Sequence, residues 1–131
     1  MLPTELGMLS GLHKNFYVVG SSAVDISSDI LVGRPYGGTA ILYRKSLVNV
    51  VSMIPNSSTS NTSINIFTGD GPLLLLTVYM PTEYNDDESF EKYIEVCAHV
   101  HAIITDSCIP HIIIAGDFNC QSCCLKSRFL I

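Results

Sequence analysis

No apolar stretch in this 131-residue chain is long enough to cross a bilayer. The longest, Leu73 to Met80, is closed by Pro72 and Pro81, far short of the roughly 20 residues a spanning helix needs. No secretory leader is expected either, because Met1 to Asn15 mixes Pro3, Glu5, His13 and Lys14 with scattered leucines and has no basic start followed by an apolar core. These absences predict an intracellular chain, nuclear or cytoplasmic, with no membrane partner. Basic residues are few: 7 Lys and Arg stand against 12 acids, for a net charge of -5. Nucleic acid held on a broad basic surface is thereby excluded, and any phosphate chemistry has to rest on a metal and local contacts. Half of the acids, Glu83, Asp86, Asp87, Glu88, Glu91 and Glu95, fall in one segment. That segment lacks the alternating oxygen ligands and central glycine of a calcium-binding EF-hand loop, and reads as a solvated helix start. There is no internal repeat and no heptad pattern, and no obligate protein partner is identifiable.

Five cysteines, Cys97, Cys108, Cys120, Cys123 and Cys124, are an odd number without a secretory context. They read as reduced thiols rather than a disulfide framework. Cys120 and Cys123 form a CxxC pair, but a zinc site would need further ligands, for which only Cys124 and scattered histidines are at hand.

What is present is the material of one mixed α/β domain: 47% of residues are hydrophobic, enough for a single core. Phe16 to Gly20 is a β-rich run followed by a polar, looped segment from Ser21 to Asp29. Arg34-Pro35-Tyr36-Gly37-Gly38 predicts a tight turn into a central strand, Thr39 to Tyr43. Val48 to Ile54 and Ser63 to Phe67 are further strands, with Pro55 to Thr62 as an exposed hairpin loop between them. After the turn cluster Thr68 to Pro72, Leu73 to Met80 reads as a central strand covered on both faces. Asn85 to Glu88 can cap a helix of about Asp87 to Thr105, whose apolar face is read as Phe90, Ile94, Cys97, Ala98, His101 and Ile104. Pro110 then restarts the chain as the strand His111 to Ala115. Strand, helix and adjacent strand make a crossover unit, so part of the sheet is predicted to be parallel.

The segment Ile112-Ile113-Ile114-Ala115-Gly116-Asp117-Phe118-Asn119 concentrates the chemistry. A β-branched run stops at a glycine and is followed at once by a carboxylate and a carboxamide. A buried strand tolerates an unpaired Asp poorly, so Asp117 and Asn119 are expected where the strand leaves the sheet, with both side chains able to reach one cleft. Their oxygens suit Mg²⁺ and a phosphate-bound nucleophile. The alternative is an Asx turn that satisfies loop backbone groups.

Three blocks in order, GRPYGGTAILYRKSL (Gly33 to Leu47), LLLLTVYMPT (Leu73 to Thr82) and IIIAGDFN (Ile112 to Asn119), resemble the endonuclease/exonuclease/phosphatase superfamily. Within it they look most like the endonuclease domains of non-LTR retrotransposons. The resemblance implies a DNase I-like four-layer α/β sandwich, two mixed sheets face to face with helices outside, and Mg²⁺- or Mn²⁺-dependent cleavage of DNA phosphodiesters. By the same resemblance, Tyr79 contacts the scissile phosphate, Asp117 orients or deprotonates the attacking water, and Asn119 binds phosphate or metal, so Asp117 and Asn119 are the metal candidates. Gly37 and Gly38 correspond to glycines near substrate, and Arg34 and Arg44 are candidates for phosphate contacts. Local readings stand beside each: Tyr79 as core packing, the glycines as a turn only, the arginines as surface charge. No histidine matches the motif.

The departures matter as much. The family's metal-binding glutamate, in a Gln-Glu pair, and its early asparagine are expected before Met1, and the closing Asp-His pair beyond Ile131. After Asn119 the segment Cys120 to Ile131 contains no second acid. The resemblance therefore implies that 1–131 is a single incomplete, partial sandwich domain with a divergent tail at 120–131. Groups acting as one catalytic unit are strongly non-additive, so weak or no activity is expected of this chain. The alternative is a non-catalytic remnant serving at most as a binding or interaction module.

Overall fold

The computed structural model describes residues 3–11, 14–21, 38–55, 58–82 and 86–119. The elements in chain order are α1 (Pro3–Gly11), β1 (Phe16–Ser21), β2 (Thr39–Arg44), a 3₁₀ turn (Lys45–Leu47), β3 (Val51–Met53), β4 (Asn61–Thr68), β5 (Gly71–Tyr79), α2 (Asp87–Ser107) and β6 (His111–Asp117). The expected loop beyond Ser21, the turn residues Arg34 to Gly37, and the tail with Cys120, Cys123 and Cys124 lie outside the described residues.

The strands form two sheets. β1 and β2 pair antiparallel, and a second, mixed sheet has the order β3-β4-β5-β6. In the second sheet β4 is antiparallel to β3 and β5, while β5 and β6 run parallel with α2 as the crossover between them. The parallel unit expected from the strand-helix-strand pattern is therefore present. β5 is central, as its apolar composition predicts. Pro72 interrupts nothing: Phe67, opposite it, sends its N–H outward to Val50 O (2.7 Å), and β6 begins pairing only at Leu73. A proline without a ladder partner to lose is cheap at that point.

Side chains alternate across β5. Leu76, Val78 and Met80 are buried against Val96 of α2, with Val100, Ile103 and Ile114 packed around them. On the opposite face, the β1-β2 sheet is joined to β4 by hydroxyls: Thr39 Oγ1 and Thr62 Oγ1 are 2.7 Å apart, and Thr62 Oγ1 donates to Thr39 O at 3.1 Å. Ser21 Oγ donates to Asn61 O at 2.9 Å and lies 3.2 Å from Thr62 Oγ1. The mixed sheet is thus covered by α2 on one face and by a second sheet on the other, and α1 lies against β1.

Several expectations need correction. The segment Val48 to Ile54 is strand only from Val51, because Arg44 leads into i→i−3 turns, with Val48 N donating to Lys45 O (3.2 Å) and Val50 N to Leu47 O (3.0 Å). Asn61 and Thr62 are not exposed loop but the buried start of β4, at 0% and 3% accessibility. Their polarity misleads because its partners come from another sheet. β2, expected to be central, has β1 as its one ladder partner among the described residues.

The helix is where the sequence places it but turned about its axis. Asp86 caps it, accepting from Ser89 N at 2.6 Å, and Asp87 and Glu88 occupy the first turn. Phe90 and Ile94, read as the inward face, are 65% and 50% exposed, whereas Val96 is 6%. Cys97, Ala98 and His101 are exposed as well. Apolar residues cover a wide arc of α2, and position relative to the sheet selects the Val96, Val100 and Ile103 side of it.

Candidate functional site

The parallel register of β5 and β6 sets Tyr79 directly against Asp117. Residues paired across a ladder share a face, and this pair follows Thr77 and Ala115 on the side away from α2. Both lie at the carboxyl ends of adjacent parallel strands, the end at which open α/β sheets bind ligands. The ladder holds to the last residue: Met80 N donates to Asp117 O at 2.8 Å, and on the other side Tyr79 N donates to Ser60 O at 2.8 Å.

Asn119 is fixed from two directions. Its backbone N–H donates to Asp117 Oδ1 at 3.1 Å, and its Nδ2 donates to Met80 O at 2.7 Å. Its φ of 44° is left-handed, a conformation asparagine tolerates better than most residues. The Asx turn and the chemical reading of this motif are therefore compatible. One carboxylate oxygen orders the turn, and the second meets no hydrogen-bond partner among the described residues on an exposed side chain. The amide is oriented by Met80 O so that Oδ1 is left as an acceptor. Tyr79 is half-buried, and its hydroxyl has no hydrogen-bond partner among the described residues.

Gly116 makes the arrangement possible, a role the sequence reading reduced to stopping the strand. Its φ is 149°, and an added Cβ would overlap Val78 O and lie 2.8 Å from Val78 C. Only a glycine lets β6 come this close to β5 immediately before Asp117.

Of the other candidates, Gly38 takes a φ of 82° just before Thr39. Thr39 meets Thr62, and Thr62 pairs with Thr77, two positions before Tyr79 on the same face, so Gly38 is brought to the same end of the sheets. Arg34 and Gly37 lie outside the described residues. Arg44 is exposed at the far end of β2, at the opposite end from Thr39, and is not part of this group. His99 and His101 ride on α2, and His111 opens β6 at the end away from Asp117, so no histidine of the described residues joins the site. A half-open cavity of about 280 Å³ between residues 58–60 and α2 is lined by Pro81, Lys92, Glu95, Val96 and His99. It belongs to the α2 face of the sheet, opposite to the face that carries Tyr79 and Asp117.

No group of three His, Cys, Asp or Glu converges among the described residues. Among the described residues Asp117 is the single carboxylate beside Asn119 and Tyr79, which is too few ligands for a protein-only cage. The donor set does fit Mg²⁺, which keeps several waters and commonly takes one or two carboxylates together with substrate phosphate. It does not suit zinc, which favours nitrogen and sulfur. Comparison of the chain with protein-family models, with curated proteins and with solved structures found no match. Among the described residues, no helix is long and apolar enough to cross a membrane.

Proposed function

We propose that the chain is, by descent, an endonuclease-type phosphodiesterase domain of the endonuclease/exonuclease/phosphatase superfamily, nearest to the endonucleases of non-LTR retrotransposons, with DNA as substrate. One observation carries the reading. The tyrosine of VYMP and the aspartate of GDFN, far apart in sequence, become ladder partners at the carboxyl ends of two parallel strands, with the asparagine tied to both strands. The sheet-on-sheet packing, with α2 outside one sheet and α1 beside β1, is the layering a partial DNase I-like sandwich would have.

In such a site the free Asp117 oxygen accepts a hydrogen bond from the attacking water and orients it toward phosphorus. The Tyr79 hydroxyl donates to a phosphate oxygen, and the Met80 carbonyl keeps the Asn119 amide turned with Oδ1 outward. Asp117 and Asn119 Oδ1 would hold a divalent ion, which when bound neutralises charge on the phosphate. Among the described residues a single carboxylate and no histidine stand at this site, and the isolated chain is expected to nick DNA weakly or not at all.

The test is Mg²⁺- or Mn²⁺-dependent nicking of supercoiled DNA, beside paramagnetic Mn²⁺ broadening of amide resonances. Any nicking should vanish with EDTA and in Asp117→Ala, and Mn²⁺ should broaden the Asp117 and Asn119 amides in the wild type only. Nicking that survives Asp117→Ala removes this site as its source. The second reading, a non-catalytic remnant, is favoured by the one carboxylate found at the site among the described residues, and robust nicking abolished by Asp117→Ala would eliminate it.

A further inference from the structure

The β1-β2 sheet carries a separate feature at its other end. Tyr17 and Tyr43 are ladder partners with ring centroids 5.8 Å apart and planes tilted by 49°. The Lys45 ammonium lies over the Tyr17 ring, 5.1 Å from its centroid. Lys45 N donates to Asn15 O at 2.9 Å, which closes this end of the hairpin and brings Lys14 to the same corner, while Arg44, paired with Phe16, lies on the opposite face of the ladder. Tyr17 is 43% exposed, and Lys14, Arg44 and Lys45 are all exposed. None of the three bases makes an ion pair among the described residues.

The described residues of the β1-β2 layer carry only basic charge, although Asp70, in the β4-β5 turn, lies toward this same end of the sheets. The stretches 14–21 and 38–55 contain three bases and no Asp or Glu, whereas Asp86, Asp87, Glu88, Glu91 and Glu95 lie at the start of α2, beyond the mixed sheet. The acidic total thus hides a cationic corner with aromatic rings inside it. This corner is distinct from the Tyr79–Asp117 group. Tyr17 lies about 13 Å down β1 from Ser21, the residue that meets Thr62, at ~3.3 Å per residue.

We propose that this corner binds single-stranded nucleic acid, with a base stacked on Tyr17 and the flanking phosphates met by Lys45 and Lys14. Exposed aromatic rings beside cations are how sequence-tolerant single-strand binders work, since every base offers a π face and every linkage a negative charge. Lys45 holds the place. Its ammonium occupies the ring face in the free protein and, on a flexible stem with no carboxylate partner among the described residues, swings to a phosphate when a base takes that face. A duplex, whose bases are already stacked on one another, cannot use the ring. The proposal does not depend on the nuclease reading, because none of its residues belongs to that site.

The experiment is fluorescence anisotropy of labelled oligodeoxythymidylate and oligouridylate, each about twelve nucleotides long, with the whole chain in EDTA. Saturable binding is expected at low salt, weaker for a duplex of equal length, and kept in Asp117→Ala. Tyr17→Leu, which retains an apolar side chain, should weaken it about tenfold, Tyr17→Phe should restore it, and Lys45→Gln should reduce the salt slope by about 0.7, the value for one phosphate on a single strand. A preference for one of the two oligonucleotides identifies the strand chemistry, and either supports the proposal. If Tyr17→Leu loses its circular dichroism signal, the exposed Lys45→Gln and Lys14→Gln carry the test through the salt slope alone. Absence of saturable binding, equal affinity for duplex, or binding and slope unchanged in the folded variants would overturn it.

Discussion

Replacing Gly116 by alanine is the sharpest probe of how the candidate site is built. An alanine Cβ would overlap Val78 O and lie 2.8 Å and 2.9 Å from Val78 C and N, backbone atoms that cannot rotate away. Its φ of 149° adds backbone strain of about 1–3 kcal/mol for a residue with a side chain. Relief requires β6 to move off β5 near Val78, at about 1 kcal/mol for each ladder hydrogen bond weakened. With one or two such bonds lost, the cost is about 2–5 kcal/mol. Against a usual domain stability of about 5–15 kcal/mol this is a large fraction. Urea unfolding followed by circular dichroism measures it, with a midpoint shift of about 1–3 M at a slope of about 1.5 kcal/mol/M. Gly69→Ala, with nothing within 4 Å of the added Cβ, is the control and should change little. A Gly116→Ala variant as stable as Gly69→Ala would refute the parallel register, and with it the pairing of Tyr79 with Asp117.

Thr62→Val keeps the shape and removes the hydroxyl that joins the two sheets, so a loss of about 1–3 kcal/mol is expected in the same unfolding assay; a neutral outcome would show that those hydrogen bonds do not hold the sheets together. The orientation of α2 predicts that Val96→Ala costs about 2 kcal/mol while Ile94→Ala stays within about 0.5 kcal/mol, and the reverse order would return the helix to the face read from sequence. Asp86 has its pKa lowered chiefly by the Ser89 backbone N–H, so its carboxylate stabilises the helix start fully above the unfolded carboxylate range and loses that effect as pH falls through the lower folded value. Asp86→Ala should therefore flatten the acid limb of a thermal-stability profile, and an unchanged limb would discount the cap.

The strands, the long helix and the crossover were legible because each rests on local pattern. Leu73 to Met80 and Ile112 to Ala115 are largely apolar runs bounded by prolines or glycine, and Asp86 three residues before Ser89 is a cap written within one turn of chain. Misreadings fell where the deciding hydrogen bond is not written in the hydrophobic pattern. Asn61 and Thr62 look like loop until Ser21 and Thr39 arrive to bond them, and Val48 to Val50 look like strand until the chain turns on itself. On α2 the apolar arc is wider than one contact face, so periodicity located the helix without choosing its inward side.

The candidate site divides in the same way. By itself the sequence determined which residues carry oxygen chemistry, that Asp117 and Asn119 share a strand end, and that Tyr79 ends a central strand, because each is a statement about neighbours along the chain. Only the tertiary structure decided that Tyr79 and Asp117 stand side by side, that Arg44 lies at the opposite end of its sheet with Tyr17 and Lys45, and that Gly116 is there for contact with Val78 O. The physical reason is register. A parallel ladder has no turn to set its alignment, so the pairing of β5 with β6 is fixed by α2 packing across them and by one glycine that permits close approach.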